Sequence, residues 1–145
     1  MATHSMAGVH QLTSPDGQFK VTVETGATIT WTVVHGTTAV IAPSPLSVTL
    51  DNGAIWGAHP KLKKAKTNSV KGEIATKLYK KRMIPEEYNE LTLQFKGDYN
   101  LIFRAYNQGV AYRFASTGKE GITVKNEEVR LNFTSDHQTL VPYVK

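Results

Sequence analysis

The stretch YNELTLQFKGDYNLIFRAYNQGVAYRF, Tyr88 to Phe114, constrains the fold of this chain more than any other part. Leu91, Leu93 and Phe95 alternate with polar residues; so do Leu101, Phe103 and Ala105, and then Val110, Tyr112 and Phe114. Successive side chains of a strand point to opposite faces, so this period of two gives strands with one apolar face each. KGDYN and NQG are glycine-bearing connections of hairpin length, and the stretch therefore reads as a three-stranded antiparallel meander. Such a meander needs a second layer to cover its apolar face.

The same period recurs upstream. FKVTVET puts Phe19, Val21 and Val23 on one face, and SPDG before it is a turn signal. ATITWTVV places Ile29, Trp31 and Val33 inward, and HGTT leads as a hairpin connection into AVIA. Pro43 and Pro45 lack the N–H that a ladder needs, so APSPLSVTL reads as an edge or a crossing before Leu46, Val48 and Leu50 resume alternation. DNGAIWG is a glycine-bounded turn. Lys61 to Arg82 has weak periodicity and reads as a long loop with a strand near its end, while ITV and EVRLNF add two strands to the meander. The one helix candidate is IPEEYNEL, with Pro85 in its first turn. The fold class is thus all-β, an antiparallel sandwich of about nine strands over residues 14–145, preceded by a leader, 1–13, that reads as tag-derived or disordered.

A chain of 145 residues that is 40% apolar suffices for one core and is short for two. With no cysteine it has no disulfide, thiolate metal site or cysteine nucleophile. No uncharged apolar run approaches the roughly 18 residues of a membrane span, so no membrane partner is expected. The net charge of +5 is uneven, because Lys61 to Arg82 holds nine of the seventeen basic residues and one carboxylate, Glu73. Nucleic-acid binders interleave aromatics for stacking, and here Tyr79 stands alone, so the run reads as a solvated or partner-facing segment and no nucleic acid is expected.

Few residues invite a chemical role. The histidines, at 4, 10, 35, 59 and 137, have no metal-ligand spacing. Glu86, Glu87 and Glu90 are carboxylates close in sequence, but a glycosidase needs two carboxyl groups facing each other across a sugar, and neighbours in a turn are ordinarily surface charge. No catalytic residue and no metal ligand is assigned. Trp31, on an alternating strand, reads as core; Trp56, in the glycine-rich turn, is the better candidate for contact with a carbohydrate or a neighbouring domain, although core capping is its more ordinary role. Arg104 and Arg113 should face outward, paired across strands with Glu90 or another carboxylate. Asn132-Phe133-Thr134 matches a glycosylation sequon, a pattern frequent by chance.

Three segments, SPDGQFKVTV, VIAPSPLSVTLDNG and YNELTLQFKGDYNLIFRAYNQGVAYRF, resemble in order and spacing the N-terminal β-domain of glycoside hydrolase family 97, from about Ser14 to Phe133. The resemblance implies a supersandwich-like β-domain packed on a downstream (β/α)8 catalytic barrel in an exported, periplasmic or secreted α-glucosidase or α-galactosidase. It implies calcium for the parent enzyme, with the catalytic and calcium-binding carboxylates beyond Lys145, so none is carried onto this chain. The expected role is a non-catalytic scaffold that packs on the barrel, whose partner through the parent is an α-linked sugar. An independent carbohydrate-binding module anchored on Trp56 is the alternative. Without its neighbour the chain is expected to self-associate through Ile55, Trp56, Leu140, Val141 and Tyr143.

Overall fold

The computed structural model describes residues 8–77, 82–136, 138 and 141. They form eleven strands and no helix: β1 (Gly8–Thr13), β2 (Phe19–Thr25), β3 (Ile29–His35), β4 (Thr38–Leu50), β5 (Ile55–Trp56), β6 (Leu62–Ala75), β7 (Met83–Phe95), β8 (Tyr99–Tyr106), β9 (Gly109–Ser116), β10 (Val124–Val129) and β11 (Asn132–Phe133). All pairings are antiparallel. A four-stranded sheet runs β6-β7-β8-β9, and a seven-stranded sheet runs β1-β2-β3-β4-β10 with β5 and β11 also on β4. The expected all-β sandwich is the architecture, with eleven strands where about nine were expected.

The meander is as the alternation requires. Phe95 pairs with Tyr99 across the Lys96–Asp98 connection, where Gly97 and Asp98 take positive φ, and Tyr106 pairs with Gly109 across Asn107 and Gln108. Leu91, Leu93, Phe95, Leu101, Phe103 and Ala105 are buried against Val21, Val23, Ile29, Trp31, Val33, Leu46, Val48 and Leu50 of the other sheet. Trp31 sits at the centre of this core, its ring 5.7 Å from Phe103 and 5.4 Å from Tyr112.

Five expectations are corrected. The basic stretch contains a fourteen-residue strand, β6, paired along nearly its whole length with β7; an edge strand beside a regular neighbour gains ladder hydrogen bonds without needing apolar alternation of its own. IPEEYNEL is strand, not helix: Pro85 lies where β7 has β6 as its one neighbour, so its missing N–H interrupts no central ladder. β4 is central rather than an edge, with β3 and β5 on one side and β10 and β11 on the other. Neither β10 nor β11 pairs with any residue from Pro43 to Pro45, and across that gap the fully buried Ser44 hydroxyl accepts the Asn132 N–H (3.0 Å) and donates to the Ala42 carbonyl (2.8 Å). ITV and EVRLNF do not extend the meander: the Thr117–Thr123 connection is longer than a hairpin turn and carries the chain across to the other sheet. Finally, Gly8–Thr13, counted within the expected leader, is strand β1, fixed by full pairing with β2 and burial of Leu12. Residues 1–7 lie outside the described residues.

The two sheets do not overlap fully. Side chains directly opposite on neighbouring strands share a face, so Ala65, Thr67 and Ser69 of β6, opposite Leu93, Leu91 and Asn89, belong to the inner face. By the same reasoning Val124, Glu127 and Val129 of β10 and Phe133 of β11, opposite Leu50, Val48, Leu46 and Ile41, are inward too. All seven are exposed. The sandwich therefore has two overhanging margins on opposite flanks, one small and polar and one largely apolar.

Candidate functional site

Trp56 is placed by a tight turn. Gly53, with φ of 85°, donates to the Leu50 carbonyl, and the Asn52 side chain accepts from the Ala54 N–H. The turn delivers the indole onto Tyr99, with ring centroids 5.2 Å apart and planes 15° from parallel, and Tyr99 stacks in the same way on Phe95 at 5.0 Å. Trp56 is 5% exposed. Its residual edge borders an open hollow of about 380 Å³ whose lining includes Asn52, Asp98, Lys119, Glu120 and Ile122. Trp56 thus caps the core, its ring stacked on Tyr99, and is too buried to offer an open platform.

The residue after it is what makes the cap rigid. Gly57 has φ of 99°, and a Cβ there would lie 2.4 Å from the Leu46 carbonyl oxygen, so glycine is required. Its N–H donates to the Tyr99 hydroxyl (3.2 Å) and its carbonyl accepts from Ile29, which ties the meander to the opposite sheet. Burial is the main cause that pushes the Tyr99 hydroxyl pKa above its ordinary value. Sequence reading missed Tyr99 as an anchor; the tyrosine directly after the KGD turn, opposite the apolar Phe95, was the available signal.

The other candidates are dispersed. Glu86 and Glu90 lie on the outer face of β7 and Glu87 on the inner face, since a strand alternates. Glu87 pairs with Lys71 at 3.3 Å. Glu90 accepts from the Arg104 Nε at 2.7 Å, the cross-strand pair the alternation implied, and the Arg104 guanidinium lies 4.4 Å over the Tyr88 ring. The bond it donates to Glu90 first, then one to the Tyr106 hydroxyl, holds the Arg104 proton more firmly still. Tyr88 is buried on this outer face beside Tyr106, a small second cluster that the alternation did not reveal because Tyr88 falls on the polar parity of β7. Arg113 is exposed. Asn132 of the sequon uses its side-chain amide to donate to the Pro43 carbonyl.

His10, His35 and His59 sit on β1, at the end of β3 and after β5, while His4, His137 and Tyr79 lie outside the described residues. Among the described residues no three of His, Cys, Asp or Glu lie close enough together to hold a metal ion. Lys63, Lys64, Lys66 and Lys71 project from β6 as solvent-exposed side chains. Of the tail, Val141 is exposed and Leu140 and Tyr143 lie outside the described residues.

Residues 12–145 match the family model described as glycosyl-hydrolase 97 N-terminal. A retaining alpha-galactosidase of Bacteroides thetaiotaomicron is 42% identical over 134 residues, which are 92% of this chain and 20% of that protein. Among solved structures, a glycoside hydrolase family 97 enzyme from Pseudoalteromonas sp. strain K8, in complex with acarbose, superposes with a TM-score of 0.71 at 22% identity, over 81% of this chain and 19% of that one. A beta-arabinopyranosidase superposes with a TM-score of 0.75 at 21% identity, over 86% and 21%. The chain spans about a fifth of the length of each of these proteins, and the structural likeness, at such identity, speaks for the fold alone. The match along nearly the whole chain, together with the two-sheet fold, makes this chain a member of the glycosyl-hydrolase 97 N-terminal family.

Proposed function

We propose that this chain is the N-terminal β-sandwich part of a longer exported α-glycosidase, and that it serves there as a scaffold on which a catalytic barrel packs. One observation carries the reading: 92% of the chain aligns with only a fifth of a retaining alpha-galactosidase. The carboxylates once weighed for catalysis support it, since Glu87 and Glu90 are engaged by Lys71 and Arg104 and lie on opposite faces of β7. A retaining glycosidase holds its two carboxyl groups about 5 Å apart across the sugar. In this reading both belong to the barrel, as do the α-galactoside or α-glucoside and the calcium ion. The edge of Trp56, with the exposed Ile55 beside it, would meet the barrel. An independent carbohydrate-binding module is less well supported, because the ring that would form its platform is stacked on Tyr99.

The test compares the product of the complete reading frame with the 145-residue chain on nitrophenyl α-galactoside and α-glucoside, with calcium and with a chelator. Turnover is expected from the complete product, lost on chelation, and absent from the short chain. Turnover by the short chain that disappears in Glu86→Gln, Glu87→Gln or Glu90→Gln would overturn the reading.

A further inference from the structure

The turn that seats Trp56 also carries the one asparagine of the chain that is followed by glycine, Asn52, and both Asn52 and Gly53 are exposed. Asparagine is thermolabile because the backbone nitrogen of the next residue can attack its side chain, and a Cβ on that residue crowds the approach. At Gly53 a Cβ would meet nothing within 4 Å, so the space around this peptide is open to water. The Asn52 Oδ1 accepts from the Ala54 N–H at 3.0 Å. That bond arches over Gly53 and holds the carboxamide against the nitrogen it would react with. One bond opposes the reaction: the Gly53 N–H donates to the Leu50 carbonyl at 3.0 Å. Other asparagines are placed differently. Asn68, followed by serine, is held with Ser69 in the ladder of β6 and β7, and the side chains of Asn89 and Asn132 donate to the Thr13 and Pro43 carbonyls.

We propose that Asn52 is a modification site at which the side-chain amide becomes an acid without an enzyme, gated by opening of the hydrogen bond from Gly53 to Leu50. The Gly53 nitrogen bonds to the Asn52 Cγ, its proton passes through solvent to the departing amide nitrogen, and ammonia leaves behind a cyclic imide. Water then opens the ring. Attack at the Cγ carbonyl breaks the new bond to nitrogen and gives aspartate. Attack at the main-chain carbonyl breaks the original peptide bond instead, and the chain then runs through Cβ and Cγ as isoaspartate. Amide and water are exchanged for acid and ammonia, with nothing oxidised or reduced. The product bears on Trp56. Asn52 lines the hollow at the Trp56 edge with Asp98, Glu120 and Lys119, so an acid at this position adds a carboxylate to a rim that already holds two against one lysine. Isoaspartate also lengthens the main chain inside a closed turn, where the Leu50 N–H donates to the Ala54 carbonyl at 2.8 Å and Val48 pairs with Trp56. The longer turn loosens the seat of the indole on Tyr99.

The test incubates the 145-residue chain at neutral and mildly alkaline pH, folded and in urea, and reads its tryptic peptides by mass spectrometry with isoaspartyl methyltransferase labelling. Asn52 should convert faster than Asn68 and every other asparagine, and the folded chain should lag the unfolded one by no more than about tenfold, since one exposed turn bond has to open. Alkaline pH should speed the step, because the attacking nitrogen gives up its proton. Tryptophan emission should shift to the red as isoaspartate accumulates. Asn52→Ser keeps a side-chain oxygen for the Ala54 N–H but has no amide to lose, and its emission should hold steady through the same incubation. Asn52 unchanged in the folded chain after full conversion in urea would overturn the proposal, because the turn would then be a shield. Conversion no faster than at Asn68 would overturn it too. Isoaspartate with unchanged emission, or an equal drift in Asn52→Ser, would overturn the link to Trp56.

Discussion

The two overhanging margins of this sandwich differ in side-chain chemistry, one small and polar and the other largely apolar. On the β6 flank the inward positions beyond the overlap are Ala65, Thr67 and Ser69, and the last two border a hollow of about 390 Å³ lined by Gln11, Thr13, Asn68 and Asn89 among others. The Asn89 side chain closes its floor by donating to the Thr13 carbonyl at 2.7 Å. Nothing there loses by staying wet, and the lysines along β6 discourage another strand from adding to the edge. On the β10–β11 flank the equivalent inward positions are Val124, Glu127, Val129 and Phe133, and the exposure of the two valines forfeits the stabilisation that burial would bring. Strand geometry is alike on both flanks; side-chain chemistry is what sets them apart.

That contrast holds only if the overlap between the sheets, and neither margin, carries the fold. Phe103→Ala, in the middle of the overlap and fully buried beside Trp31, should cost about 4 kcal/mol in a denaturant titration. A loss as small as that of a surface substitution would mean that the sheets are held elsewhere. The next test bears on the apolar margin. Val129→Lys should leave the 145-residue chain within about 0.5 kcal/mol of the parent sequence, and a much larger cost in the complete polypeptide would mean that this margin is covered there. Equal effects in both would erase the difference between the margins.

Ser44→Ala tests how the apolar margin is attached. The hydroxyl is the bridge between β4 and β11, so its loss should cost about 2 kcal/mol, because the Asn132 N–H is left without its acceptor. Exchange of the β11 amides should rise while that of β8 stays put. Unchanged β11 exchange would assign the attachment to the Asn132 side chain and the Phe133 backbone instead.

Much of this arrangement was legible in the sequence. The inward sets of β2, β3, β4, β7 and β8 follow from period two, because each of those strands is covered on one face and solvated on the other. The resemblance of three segments to the family gave the domain's identity. What failed were the strands in which period and environment part company. β6 carries no apolar alternation because its neighbour β7, not a core, holds it straight. β4 tolerates Pro43 and Pro45 centrally because a serine side chain replaces the missing ladder bonds, a device with no signature in local propensity. EVRLNF alternates as a core strand should, yet its valine, leucine and phenylalanine stand exposed, and alternation alone does not say which sheet receives a strand. Trp56 was correctly seen as the aromatic of its turn, but its burial depends on Tyr99, more than forty residues later.

Acid sensitivity gives a smaller effect, at a turn that joins the sheets. The Asp16 carboxylate accepts from the Ser14 hydroxyl and the Gln18 N–H, and the Asp16 N–H donates to Asn107 in the β8–β9 turn. The Ser14 bond first, then that of Gln18, lowers its pKa below the ordinary 3.8. A folded-state pKa below the unfolded one stabilises the fold fully above pH 3.8 and is lost as pH falls through the lowered value. Asp16→Asn should therefore melt slightly earlier than the parent sequence at pH 7, and the two should converge in strong acid. A gap that persists below pH 2 would show that the turn is held by groups other than this carboxylate.

The smallest expected effect belongs to the polar margin and makes the contrast sharpest. Lys71 and Glu87 face each other across β6 and β7 at 3.3 Å, where β7 has no second neighbour, and the lysine side chain is 84% exposed. An ion pair so open to water gives up little hydration when formed and gains little when kept, and its lysine loses rotamer freedom in holding it. Lys71→Ala should then change stability by less than about 0.5 kcal/mol, and the difference should vanish in 1 M salt, where charges are screened within a few ångströms. Thermal melts at low and high salt measure this directly. The same melts repeated on the complete polypeptide carry the discriminating result, because an overhang finished by solvent should give the same small number in both. A cost that grows well beyond 1 kcal/mol in the complete polypeptide would mean that the β6 flank is also covered by the rest of the protein, and that its polarity marks a hydrophilic interface rather than a free edge.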